Sequence, residues 1–377
     1  RDLHYPLRRQ RQMCIRDRLC SAGAEVHLLL RSDYDTVRGN GIRIERDGES
    51  ITVRPHCHHQ PESIGECDLV LVCLKTTAND RYQELIGPLM GPDTAIACLQ
   101  NGLGNCEQLA TLFNPEQILA GLCFVCLNRT APGVVAHQGF GKIVLGEFGR
   151  IALPRTQAIA DLFQKAKVPC EVVDRLDEGL WGKLMWNIPF NGLGVAASAG
   201  WDGLQSGTLP EDLGSPWPTD QLLADPRWEG EVRALMQEII VAAAAQKIVL
   251  PPELADRMVT NTRDMGAYRA STLIDFEFGR PMELEGLFLE PLRRAQSAGA
   301  AMPRVEALCV VLEKLARYLP RACVSDYVLR PVPRATCTLV VPARRCLIGC
   351  MPAIQAGNLC CALRTRMKSA TRLRQSM

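Results

Sequence analysis

Polar side chains recur at every fourth residue of the otherwise apolar stretch KLMWNIPFNGLGV, which spans residues 183–195. They are Lys183, Asn187 and Asn191. In an α-helix, steps of four residues drift by only about 40° each, so the three groups form one stripe roughly 12 Å long. A lysine can stabilise a developing negative charge and release a proton, and amides hydrogen-bond without adding charge. We therefore expect this stripe to face either water or a polar ligand held inside the protein.

Four further candidate residues follow predicted strands. Lys75 ends the run LVCLK, Asn101 and Gly102 follow TAIACLQ, and Arg31 comes directly after EVHLLL. In an open α/β sheet, ligands bind outside the carboxyl ends of the strands, so all four are candidate cofactor-binding residues. NAD-binding proteins usually carry an acid at the position of Arg31, and an arginine there favours the 2′-phosphate of NADP. The alternatives are solvated strand-end cations and an ordinary Asn-Gly turn.

The elements that must position these residues are of two types. Residues 19–174 contain short runs rich in Val, Leu and Ile between helical or turn-rich segments, which is typical of buried parallel strands. From about residue 175 to 319 the strands stop and the pattern is helical. The sequence therefore predicts an α/β Rossmann-type dinucleotide-binding domain over residues 19–174, followed by an all-α domain over residues 175–319.

The first strand and the glycine-rich phosphate loop of such a domain are not found in the expected place. The segment LCSAGAEVHLLLR is typical of the end of the first helix, a turn and the second strand, so a strand and G-x-G-x-x-G should precede it. Residues 1–18 instead contain six arginines and no glycine. We expect this difference to leave the centre of the sheet unpaired and the pyrophosphate without its backbone cradle.

Both ends of the chain differ in composition from the middle. Residues 320–377 are basic and rich in cysteine, and Asp326 is their only acid. One interpretation is that both ends are disordered basic extensions, and the other is a misassembled or frame-shifted reading of the gene. Under either interpretation we assign no chemistry to residues 1–18 or 320–377, and we expect removal of the tail to cost little stability.

Composition excludes several classes of function. A net charge of +2 gives no broad field for nucleic acid or an anionic membrane, and no window approaches the uncharged apolar run of a membrane-spanning helix. The 17 cysteines are scattered through apolar runs, which favours free thiols over a disulfide framework. The run PHCHH, residues 55–59, predicts a surface loop, because its histidines stand too close together for a tetrahedral metal site. We expect a cytoplasmic protein without a metal, nucleic-acid or membrane partner.

Several motifs occur together in an order that resembles the ketopantoate reductase (2-dehydropantoate 2-reductase) family. They are LVCLK, LQNGLGN, APGVVAHQGFGKIVLGE, KLMWNIPFN and STLIDFEFGRPMELEGL, and the resemblance covers residues 19–319. It implies that residues 175–319 form a substrate and catalytic domain, with a helical fold like the carboxy-terminal domain of 6-phosphogluconate dehydrogenase. It also implies NADPH-dependent reduction of ketopantoate, a small branched 2-oxo acid, to pantoate in pantothenate biosynthesis, in a cleft between the two domains. A homodimer is a further expectation.

The resemblance also implies roles for particular residues. Lys183 matches the catalytic lysine, and Glu283 matches the acid near the lysine and the cofactor. The other matches are substrate contacts at Asn187, Asn191 and Ser271 and cofactor-side positions at Lys75 and Asn101.

The implied reaction explains why a lysine stands in the polar stripe. Hydride reduction leaves negative charge on the substrate oxygen in a site that excludes water, and a desolvated lysine can neutralise that charge and then give the proton. Two alternatives stay open. One is a reductase or dehydrogenase of another 2-oxo or hydroxy acid, and the other is a ligand-binding or inactive relative that lacks the phosphate loop.

Overall fold

The computed structural model describes residues 24–46 and 48–326, together with two short strands at 337–339 and 360–364. These residues divide into two compact units. Unit 1 contains residues 24–100, residues 106–174 and the two short strands, and unit 2 contains residues 101–105 and 175–326. The chain passes from unit 1 to unit 2 after Asp174, where the sequence predicts the end of the strands. Residues 101–105, by contrast, group with the helical unit.

Unit 1 is a sheet accompanied by short helices. Its strands are β1 (Glu25–Leu30), β2 (Ile42–Arg46), β3 (Glu49–Val53), β4 (His56–His58), β5 (Leu69–Val72), β6 (Ala95–Cys98), β7 (Ile118–Ala131), β8 (Val134–Glu147), β9 (Cys170–Val172), β10 (Cys337–Leu339) and β11 (Cys360–Arg364). Its α-helices are α1 (Tyr34–Asn40), α2 (Tyr82–Ile86), α3 (Asn105–Ala110, whose first residue belongs to unit 2) and α4 (Pro154–Lys165). Every residue of β5 and β6 is buried, as the apolar runs of parallel strands require.

Strands β5, β6 and β7 form a parallel core, as predicted. Val70 pairs with Ile96, and Ile96 pairs in turn with Ile118. The 14-residue strands β7 and β8 form an antiparallel hairpin, and β8 also pairs in parallel with β2 and β9. The stretch TQAIADLFQKAKVPCEVVD forms the end of this unit, with helix α4 followed by strand β9.

The centre of the sheet holds a strand from the tail of the chain. β11 lies between β1 and β5 and runs antiparallel to both, with Cys361 opposite Leu28 on one side and Leu71 on the other. Buried strands need partners for their N–H and C=O groups, and β11 supplies them. The expectation of an unpaired centre was therefore wrong, and the interpretation of residues 320–377 as a disordered extension does not hold for β10 and β11. Residues 1–18 lie outside the described residues.

The run PHCHH also departs from its prediction, because His56–His58 form strand β4 rather than a loop. β4 pairs in parallel with β1, with His27 opposite His56. His27 Nδ1 lies 2.8 Å from His58 Nε2, and His27 Nε2 lies 3.1 Å from Glu25 Oε1. The run has no apolar strand pattern, so the neighbouring strand rather than local propensity decides this pairing. Burial, and secondarily the charge of His56, lowers the pKa of His58 to about 4.

Unit 2 contains helices and no strand among its described residues. They are α5 (Asp177–Ala196), a 3-10 helix (Ala197–Ala199), α6 (Gly200–Ser206), α7 (Thr219–Ala224), α8 (Pro226–Ala245), α9 (Glu253–Arg263), α10 (Ser271–Glu277), a π-helix (Glu285–Leu289), α11 (Glu290–Ser297) and α12 (Pro303–Asp326). Helix α12 extends beyond its predicted end near Leu319. Within the part of the chain that the structure describes, no helix is long and apolar enough to cross a membrane.

Candidate active site

Helix α5 is the helix of unit 2 that carries the polar stripe. It packs against α8, α10 and α12, and every residue from Asn187 to Ala196 is buried. Gly192 lets these helices approach closely, because a Cβ at this position would lie 2.6 Å from Leu308 Cδ2. The helix runs without interruption through Pro189. The interpretation that the polar stripe faces water is therefore excluded for Asn187 and Asn191.

Lys183 has a specific partner in this unit. Its side chain is half-buried, and the ammonium group donates to Asn101 Oδ1 at 2.6 Å. The backbone carbonyl of Asn101 accepts from Asn105 Nδ2 at 3.0 Å, which holds the short segment 101–105 in shape. The sequence predicts Asn101 on the cofactor side, and the structure adds a direct contact with the candidate proton donor.

Gly102 fixes the position of the segment that carries Asn101. Its φ is +85°, and a Cβ there would lie 2.2 Å from the carbonyl oxygen of Gly286. The neighbouring Leu103 N–H donates to that same oxygen at 2.9 Å. Gly286 belongs to the π-helix, a distortion that is frequent at functional sites. Packing alone therefore requires glycine at this position, whatever part Gly102 has in cofactor binding.

Asn191 connects α5 to the start of α10. Its Oδ1 accepts from the Thr272 backbone N–H at 2.9 Å and from the Ser271 hydroxyl at 3.2 Å, and its Nδ2 donates to Asn187 Oδ1 at 3.4 Å. Three predicted substrate residues, Asn187, Asn191 and Ser271, are thus joined in one network. The Thr272 N–H could not have been found from sequence, because a backbone donor leaves no signature in residue type.

Glu283 lies on the segment that leads from α10 into the π-helix. It is 3% exposed. A carboxyl group buried to this extent requires compensating polar or cationic partners. Its burial suits the predicted role beside Lys183, which stays a prediction.

Arg31 lies in unit 1 at the carboxyl end of β1, as predicted. It lines a cavity of about 250 Å³, together with Arg81, Glu84 and Glu62. Arg81 holds Glu84 through two hydrogen bonds, of 2.9 and 2.5 Å, and this pairing lowers the pKa of Glu84. Among the described residues, the Arg31 guanidinium makes no hydrogen bond or ion pair. Its charge also contributes to the lowered pKa of Glu84.

Lys75 follows β5 and leads into a 3-10 helix, Thr76–Arg81. It is 4% exposed, and its backbone carbonyl accepts from the Ala78 N–H at 2.9 Å. Lysine is almost never buried to this degree unless its charge is satisfied. The interpretation of Lys75 as an ordinary solvated lysine was therefore wrong.

Unit 1 and unit 2 together have the parts of a nucleotide-dependent oxidoreductase: a parallel α/β sheet with an arginine at a strand end, and a helical unit with a half-buried lysine. The family model for ketopantoate reductase PanE/ApbA matches residues 14–150, and the model for its carboxy-terminal part matches residues 216–316. A 2-dehydropantoate 2-reductase from Nostoc sp. is 34% identical over 297 residues, which cover 77% of this chain and 88% of that protein.

Solved structures agree with these matches. A 2-dehydropantoate 2-reductase from Geobacter metallireducens is 42% identical, with a TM-score of 0.71 over 79% of this chain and 94% of that one. A D-mandelate dehydrogenase with NADH and anilino(oxo)acetate is 19% identical, with a TM-score of 0.66 over 77% and 89%, and shares the fold. The chain belongs to the ketopantoate reductase family and is an oxidoreductase.

Proposed function

We propose that the protein reduces ketopantoate to pantoate with NADPH, and that Lys183 is the proton donor. The observation that carries this proposal is the Lys183 side chain, half-buried on α5 and hydrogen-bonded to Asn101 at 2.6 Å. The names of the relatives from Nostoc and Geobacter support ketopantoate as the substrate.

The residues of unit 2 suit this reaction. As negative charge develops on the substrate oxygen, the Lys183 ammonium stabilises it and then transfers its proton to that oxygen. Asn101 and Asn187 orient the substrate through uncharged hydrogen bonds. Glu283 keeps the lysine charged and in place. The bound cofactor supplies the hydride.

Arg31 and Lys75 are the residues of unit 1 that we assign to the cofactor. Arg31 is a planar donor suited to a 2′-phosphate, and among the described residues its guanidinium forms no hydrogen bond. The described residues offer no G-x-G-x-x-G turn for the pyrophosphate, since β11 occupies the place of the first strand. We therefore expect the affinity for NADPH to be weaker than in a chain that carries this turn.

A second candidate is a dehydrogenase of another 2-oxo or 2-hydroxy acid, and the shared fold with D-mandelate dehydrogenase is the observation that favours it. The test is the rate of NADPH oxidation with ketopantoate, with 2-oxoisovalerate and with the aromatic 2-oxo acid related to mandelate. We expect the highest kcat/KM with ketopantoate. A higher value with the aromatic acid would favour the second candidate, and no turnover with any acid would favour a non-catalytic relative.

A further inference from the structure

Asp33 lies two residues beyond Arg31, directly before helix α1, and its side chain is bound by a distant part of unit 1. Arg129 donates two hydrogen bonds to its carboxylate, from Nε to Oδ2 at 2.8 Å and from Nη2 to Oδ1 at 2.5 Å. The Gly133 N–H donates to Oδ2 as well, at 3.2 Å. A guanidinium and a carboxylate joined by two hydrogen bonds form one of the stronger polar contacts in proteins.

This contact is not the one that an aspartate at the start of a helix ordinarily makes, which is a cap on the helix itself. In the described structure the Asp33 side chain makes no capping hydrogen bond to α1, although its backbone carbonyl accepts from the Val37 N–H at 2.8 Å. The carboxylate is therefore committed to Arg129 rather than to its own helix.

The position of Arg129 is set by the sheet rather than by α1. Arg129 pairs with Val135 across the β7–β8 hairpin. The turn of this hairpin is joined to β2, because the Arg43 N–H donates to the Gly133 carbonyl at 2.8 Å. Gly133 has a φ of +67°, and a Cβ there would lie 3.2 Å from Thr36 Cγ2 in α1. The hairpin thus holds a cation in a fixed place beside the segment 31–33.

The charge beside Arg31 bears on which cofactor this strand end favours. NAD-binding proteins use an acid after this strand to bind the ribose 2′-hydroxyl, and the same charge repels a 2′-phosphate. The Cα atoms of Arg31 and Asp33 are at most about 7 Å apart, so an uncompensated Asp33 would act on a phosphate at Arg31. The Arg129 and Asp33 side chains are 11% and 10% exposed, so solvent screens their charges little.

We propose that Arg129 is a specificity-determining residue for the cofactor: it neutralises Asp33 and holds its carboxylate against the hairpin, which leaves Arg31 to bind the 2′-phosphate of NADPH. This inference rests on the proposed use of NADPH and deepens it, because it assigns the preference to three residues rather than to Arg31 alone. Without Arg129, the same strand end would carry an arginine and an uncompensated acid, and would distinguish NADPH from NADH poorly.

The test compares the dissociation constants of NADPH and NADH, measured by titration calorimetry, in the unchanged chain, Arg129→Met, Asp33→Asn and the double variant. We expect Arg129→Met to weaken NADPH binding about threefold to thirtyfold, as for two like charges about 7 Å apart, and to leave NADH binding unchanged or tighter. Asp33→Asn and the double variant should both keep the NADPH preference of the unchanged chain, because neither contains the uncompensated acid.

Arg155→Met is the matched control. Arg155 also donates two hydrogen bonds to a buried carboxylate of unit 1, that of Glu147, at 2.9 and 2.6 Å. Its removal should lower the Tm without changing the ratio of the two dissociation constants. Arg129→Gln provides a second neutral variant should Arg129→Met not fold, because its amide can still donate to Asp33, and we expect the same loss of NADPH preference.

The results that would overturn the inference can be told apart from failure of the proposed function. If Arg129→Met weakens NADPH and NADH equally, the ion pair has only a structural role. If the double variant loses the NADPH preference as fully as Arg129→Met, the charge of Asp33 is not the cause. Either result contradicts this inference alone, whereas an unchanged chain that binds NADPH no more tightly than NADH contradicts the proposed cofactor as well.

Discussion

At the scale of single residues, Arg31 and Arg81 form a matched pair, since both line the same cavity but only Arg81 is bound to an acid. We expect Arg31→Ala to weaken NADPH binding about tenfold to a hundredfold and to leave NADH binding nearly unchanged, because only NADPH carries a 2′-phosphate. Arg81→Ala, the control, should change both affinities little. Equal weakening of NADPH and NADH by Arg31→Ala would show that Arg31 has another role.

The sequence made the identities of the candidate residues predictable but not their orientations. Lys183, Asn187 and Asn191 could be found because polar groups four residues apart in an apolar helix are conspicuous. The pairing of Lys183 with Asn101 joins residues 82 positions apart, and the Thr272 N–H belongs to the backbone. Contacts of both kinds depend on tertiary packing, which no local pattern encodes.

At the scale of elements, the segment 101–105 must stay in place for Asn101 to reach Lys183. We expect Gly102→Ala to lower the free energy of unfolding by about 2 kcal/mol or more, because of its positive φ and the overlap with Gly286 O. Turnover should fall with it. Gly230→Ala is the control: it adds a Cβ with no atom within 4 Å inside α8 and should be neutral or slightly stabilising. Equal thermal stability of the two variants would contradict the assigned role of Gly102.

The contact of β4 with β1 predicts a pH dependence. The pKa of His58 is about 4 in the folded chain and near 6.5 when unfolded, so the unfolded state binds the additional proton between these values. The free energy of unfolding should therefore fall as the pH decreases from about 6.5 to about 4. His27, His56 and Glu25 surround this group and are the same in a His58→Gln variant.

Urea unfolding at several pH values in this window checks the prediction. The His58→Gln variant should lose less stability than the unchanged chain as the pH falls. Parallel curves for the two proteins would show that His58 does not titrate as the structure implies.

The elements with an apolar period were predictable, and those without one were not. β5, β6 and α5 are specified by their own side chains, since burial on both faces demands continuous apolar runs. β4 and β11 pair with β1, but β4 has no apolar run, and the apolar run CCAL of β11 stands in a basic tail that no feature of the sequence assigns to the sheet. Their formation depends on the backbone groups that β1 exposes.

At the scale of the whole molecule, β11 occupies the place in the sheet that the first strand of a Rossmann fold would take. It runs in the opposite direction, antiparallel to its neighbours β1 and β5. An antiparallel strand there does not lead into a phosphate-binding turn. We expect a chain in which residues 1–18 are replaced by an apolar strand and a G-x-G-x-x-G turn to show a larger rise in Tm with NADPH than the unchanged chain. An equal rise would mean that other groups hold the phosphates.

Removal of residues 327–377 provides the control for this replacement. It should lower the Tm of the unchanged chain, because β1 and β5 lose their common partner. It should have little effect in the repaired chain, that is, the chain in which residues 1–18 are replaced by an apolar strand and a G-x-G-x-x-G turn. The expectation that the tail is dispensable thus applies only where a first strand is present. The homodimer stays a prediction.

The central claim is that Lys183 delivers a proton to the substrate oxygen, and the most direct test is the rate of NADPH-dependent ketopantoate reduction by Lys183→Ala and Lys183→Arg. Both are measured in the unchanged and in the repaired chain, with NADPH binding followed separately. We expect both variants to lose about a hundred- to ten-thousand-fold in kcat while NADPH binding is largely retained, since arginine keeps the charge but cannot release its proton. A rate above about a tenth of the unchanged protein's in either variant would contradict the assignment of Lys183 as the acid.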